Sequence, residues 1–126
     1  GAAAVEFAII ANIFFIMILA CMEFARLNMV RNLAQDAAYY AARHVIVPGA
    51  ISAEAVAEAD RIMSSMLGHG YSIDVSDVNK EVNEVAVTVS VDLGAVAFFT
   101  PYFLPETSIE TVARMRTERY DGYYEQ

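Results

Sequence analysis

Gly1-Ala2-Ala3-Ala4-Val5-Glu6-Phe7 opens the chain and runs straight into FAIIANIFFIMILACM, residues 7–22. Glu6 is the only charge in those 22 residues. At ~1.5 Å per residue the stretch is ~33 Å long as a helix, enough to cross a bilayer core of ~30 Å. A secretory signal would carry a basic n-region and a cleavage site beyond the apolar core. Neither is present around Met22, so the segment reads as a retained hydrophobic helix of a processed chain. A carboxylate inside such a segment is costly unless paired, which makes Glu6 a candidate functional residue.

Working outward, no glycine or proline occurs from Ala2 to Val47, and Pro48-Gly49 is the first break. Good helix formers dominate, so the sequence predicts one helix over roughly residues 2–46. Its character changes near Glu23. Beyond that point Phe24, Leu27, Val30, Ala34, Ala37, Ala41 and Val45 follow 3–4 spacing, while Arg26, Arg31, Asp36 and Arg43 fall mostly off the stripe. The first half is apolar all round, and the second packs one face on a domain. Two parts are expected: a transmembrane or filament-core helix over 1–23, and an acidic head over 24–126.

Within the head, Ser52 is the expected N-cap of a second helix and Gly68 its stop, with Val56, Ala59, Met63, Met66 and Leu67 inward. Three strands are expected at Tyr71–Val75, Glu84–Asp92 and Ser108–Glu118. Each alternates apolar and polar residues, most clearly at Val85, Val87, Val89 and Val91. One-sided alternation indicates an antiparallel sheet covered on one face. The fold class is α+β, with a long N-terminal helix and a second helix packed on a three-stranded antiparallel sheet. Asp77–Asn83 reads as a turn and residues 94–105 (GAVAFFTPYFLP) as an apolar loop. There, Phe98, Phe99, Tyr102 and Phe103 either close the head's own core or touch a neighbouring subunit.

Composition excludes several functions. A net charge of −8 and a pI near 4.5 argue against nucleic acid, which needs clustered Lys and Arg. The single cysteine, Cys21, lies in the apolar run, so it makes no intrachain disulfide and reads as a small buried hydrophobe. His44 and His69 have no metal-ligand spacing, and Glu54, Glu58 and Asp60 read as a solvated helix face. No phosphate loop or nucleophile elbow is present. The expectation is a non-enzyme without cofactor or metal.

The chemistry then lies in the apolar helix. Ala4 and Ala8 stand at small-xxx-small spacing, with Ala11 beyond them, and offer close helix approach. Phe7, Phe14, Phe15, Met17 and Ile18 supply bulk. In lipid these residues anchor; in an assembly they form a dry helical core. Glu6 is either an interfacial carboxylate or an intersubunit charge partner. Its nearest cation in the helix, Arg26, is ~30 Å away.

These residues resemble the type IV pilin pattern of a peptidase site at a glycine, four small or apolar residues, a glutamate and an apolar helix. The closer resemblance is to TadE-like pilins of the tight-adherence (Tad) pilus. It rests on Ala3-Ala4-Val5-Glu6-Phe7-Ala8, on Glu23-Phe24-Ala25-Arg26, on the alanine-rich Asp36–Ala42 stretch, and on Ala113-Arg114-Met115-Arg116-Thr117-Glu118. The resemblance implies processing at Gly1 and Ala2, which would put Glu6 at the fifth mature position. It implies residence in the inner membrane, then assembly with copies of itself or related pilins into an extracellular adhesive filament. Prepilin peptidase and assembly machinery are the further implied partners. A minor or priming pilin, a pseudopilin and a membrane-anchored binding domain that never polymerises are the alternatives.

Overall fold

The structure is a computed structural model that describes residues 1–47, 49–79, 84–96 and 107–116, with the side chains of 77–79 set aside. Helix α1 spans Ala2–Val45 without interruption, as its lack of breakers predicts. It ends with the Ile46 N–H donating to the Ala42 carbonyl at 3.3 Å. Arg43 and His44 in the last turn suit the negative end of the helix dipole.

Helix α2, Ser52–Ser64, differs from expectation at both ends. Ile51, extended at φ −108° and ψ 151°, occupies the N-cap position in place of Ser52, with no side-chain cap bond. The helix stops before Gly68. The Ser64 and Ser65 hydroxyls donate to the carbonyls of Arg61 and Ile62, a local alternative to helical bonding. The buried face is Ala55, Ala59 and Met63, continued by Leu67. This four-residue ridge leaves Val56 and Met66 outside, so the larger apolar residues at those positions are not core.

Strands β1 (Tyr71–Asn79), β2 (Glu84–Asp92) and β3 (Ser108–Arg116) form an antiparallel sheet in the order β1-β2-β3. Strand β1 runs past the expected end at Val75, with a register irregularity between Ser76 and Asn79. The expected Asp77–Asn83 turn therefore loses its first half to the strand. Residues 117–118, expected in β3, lie outside the described residues.

Helices α1 and α2 cover one face of the sheet, α1 over β2 and β3 and α2 over β1. Val85, Val87, Val89 and Val91 are fully buried beneath them. Alanines dominate the buried face of α1, with Ala34, Ala37, Ala38, Ala41 and Ala42 joined by Val30 and Val45. Small side chains let this helix lie close to its neighbours. Phe24, expected at the start of this stripe, is 66% exposed.

After β2 the chain turns through a short helix, α3 (Leu93–Val96), where part of the apolar loop was expected. The Asp92 carboxylate accepts a hydrogen bond from the Gly94 N–H at 2.9 Å and caps the turn. Gly70, at φ +86°, lies directly under it. A Cβ there would stand 2.9 Å from Ala95 Cβ and 3.0 Å from Val96 Cγ1. Phe98, Phe99, Tyr102 and Phe103 lie outside the described residues.

Candidate functional site

The first half of α1 is bare. Its large apolar side chains from Val5 to Met22 are all exposed, by 38–71%. An 18-residue window of the helix has mean hydropathy 2.4, and none of that window is buried. Ala4, Phe7, Ala8, Phe14, Phe15, Met17 and Ile18 all face outward, and Ala11 is half-buried. The Phe14 and Phe15 rings meet edge-on, 6.5 Å apart. Cys21 is exposed on this surface, so it is not a buried hydrophobe within its own chain.

Magnitudes say this surface needs a cover. Soluble monomers rarely expose apolar patches beyond a few hundred Å². A helix bare over so many Phe, Ile and Met side chains exposes on the order of 1,000 Å². At ~25 cal/mol per Å² that is ~25 kcal/mol in water. A whole domain is stable by only ~5–15 kcal/mol. Lipid or other protein must cover it.

Glu6 is exposed on the same surface, one turn in from the start of α1. Asn12, the other polar residue of the run, is exposed too. At ~1.5 Å per residue Glu6 lies ~25 Å below Glu23 and ~30 Å below Arg26. Charged residues thus bracket an apolar length matched to a bilayer core.

The upper bracket holds what the sequence reading missed. Glu23 is buried to 7% exposure, and its Oε1 has no hydrogen-bond partner among the described residues. Arg26, one turn on, donates from Nε to the Val96 carbonyl at 2.6 Å and ties α3 to α1 where the apolar half ends. A usable signal was present: Glu23 and Arg26 stand seven and four residues before Val30, on the face the core occupies.

The remaining polar groups of the described residues make local ties. His44 and His69 are exposed, and no cluster of metal-ligating residues occurs among the described residues. Glu58 pairs with Arg61 at 2.6 Å, and that hydrogen bond holds its carboxyl below the usual range. The Tyr71 hydroxyl donates to Asp60 Oδ1 at 2.7 Å, which, with some burial, pushes the phenol up. Both tie α2 to itself or to β1.

Residues 1–43 match the family model described as TadE-like protein. The long helix of this chain is TadE-like. The matched span takes in Glu6, the whole bare surface and the Glu23–Arg26 bracket, and stops before α2 and the sheet. That match suggests a Tad pilus-associated protein. The apolar TadE-like helix suggests membrane anchoring. No curated protein and no solved structure matches the chain.

Proposed function

We propose that this chain is a structural pilin subunit. Its TadE-like helix holds it in the inner membrane before assembly and bundles with other copies, or related pilins, to form the core of an extracellular filament. The acidic head then faces outward, available for surface attachment. Prepilin peptidase, acting at Gly1 and Ala2, and the assembly machinery complete the partners. The observation that carries the reading is the bare apolar half of α1 with a carboxylate inside it. A lipid anchor and a filament core would cover that half equally well. Glu6 favours the core, because an anchor has no use for a charge there, whereas the N-terminal ammonium of a neighbouring copy can neutralise it.

Glu6→Ala tests this. No buried apolar residue of the described core precedes Val30, so the head should fold and the chain should reach the membrane at normal abundance. Removing one partner of a buried pair typically costs ~3–5 kcal/mol, and filament yield should fall accordingly. Filaments at wild-type yield would sink the charge-pairing role. A wild-type chain that stays in the membrane fraction and never polymerises would return the reading to a simple anchor.

A further inference from the structure

The amphipathic half of α1 has a second face that its own head leaves uncovered. Ala34, Ala37, Ala38, Ala41, Ala42 and Val45 turn inward and are buried. On the other side Asn32, Asp36, Tyr39, Tyr40 and Arg43 are exposed, as is Val47 just past the end of the helix. Tyr39 and Tyr40 are about half exposed, with their rings edge-on at 5.6 Å. Tyr40, Arg43, His44 and Val47 line a shallow depression there. This stripe lies on the same unbroken helix as the bare apolar half, so a partner helix lying along that half meets it next.

The stripe carries one acid and one base. Asp36 and Arg43 are seven residues apart, nearly two turns, which places them on one face ~10.5 Å apart along the axis. Neither is ion-paired to another described residue. Two parallel copies of such a helix in register set like charge against like. Sliding one copy up by about two turns sets Arg43 of the lower copy beside Asp36 of the upper. The tyrosines then lie between the two helices.

We propose that this stripe is a contact between copies of the chain, with Arg43 of one copy paired to Asp36 of the next at an axial offset of ~10 Å. The occupant is the α1 helix of a second copy, parallel and staggered. Opposite charge on one face argues for a second copy, and a membrane-inserted N-terminal half makes the copies parallel. The contact is heterologous, so each copy uses both residues, and the axial offset keeps the arrangement from closing into a ring. The inference rests on the filament reading and adds to it the register of neighbouring subunits.

Thiol cross-linking of the full chain, in cells that assemble it and in a Cys21→Ala background, tests the register. The double variant Asp36→Cys/Arg43→Cys, treated with a short bismaleimide, should give a ladder of dimer, trimer and higher bands on a denaturing gel. Each single cysteine variant should lose the ladder. Dimers and nothing larger from the double variant would mean an antiparallel, two-fold pair and would overturn the proposal. So would dimers from either single variant, which place like residues side by side. Filaments seen by electron microscopy without any cross-link would overturn it and leave the filament reading standing. Absence of filaments from the Cys21→Ala chain, where the unmodified chain also forms none, would sink both.

Discussion

Replacing Glu23 by Met should stabilise the head. Glu23 is 7% exposed, and its Oε1 finds no hydrogen-bond donor among the described residues. A buried polar atom without a partner costs about 1–3 kcal/mol, more when it carries charge. Met has a similar length and no polar atom to satisfy, so the swap removes that cost while filling the same space. For a domain of ~100 residues each kcal/mol moves Tm by ~4–8 °C, so a rise of at least ~4 °C is expected. The full chain in detergent micelles, heated while near-ultraviolet circular dichroism follows the tyrosines of the head, gives the reading. Glu23→Gln should gain less, because its amide is left equally short of partners. Glu23→Ala should gain less again, because it leaves a void. A Tm for Glu23→Met at or below that of the unaltered chain would refute the reasoning and show that the carboxylate is satisfied in solution.

Gly70→Ala should destabilise the chain by more than ~1 kcal/mol, through both its positive φ and the 2.9 Å approach to Ala95; an unchanged Tm would mean that α3 is not packed over Gly70 as described. The Tyr71–Asp60 hydrogen bond should make stability pH-dependent at the alkaline end. With the folded phenol raised, its contribution is complete below the unfolded value of ~10 and fades as pH climbs through the higher folded value, so Tyr71→Phe should flatten the fall in Tm above about pH 10.

What the sequence made legible is what repeats strongly. Val85, Val87, Val89 and Val91 alternate without a fault, and β2 runs from Glu84 to Asp92 as read. The absence of Gly and Pro from Ala2 to Val47 set the length of α1 to within a residue. The face of α2 was harder, because Ala55 and Ala59 carry little hydrophobic signal beside Val56 and Met66. Burial there is decided by how closely two helices approach, a property of the pair that neither sequence shows alone. The C-terminal end of α2 has hydroxyls choosing local carbonyls, which Ser64 and Ser65 can do from any similar sequence. At the junction, Arg26 was placed off the buried stripe because it is charged, and Glu23 was read only as the point where the helix changes character. Arg26 finds its acceptor only in α3, 70 residues away in sequence.

One helix carries two surfaces of opposite design, and this separates folding from assembly. Where α1 meets its own head it is built of alanine, and the bulk of that core comes from the sheet valines and Met63. Where α1 is exposed, from Val5 to Met22, its large side chains are mostly Phe, Ile and Met. A helix that only needed to reach lipid could be bulky throughout, since lipid conforms to any shape. A helix that only needed to fold could be short, because the described apolar core begins at Val30. Small residues where a fixed partner is present and large ones where a partner is still to come fit a subunit whose head is complete before it assembles. On that account substitutions at Glu6 and along Phe7 to Ile18 act on membrane residence and polymerisation, and substitutions at Ala38, Met63 or Val89 act on folding. Glu23 and Arg26 are the exceptions, placed where one surface gives way to the other.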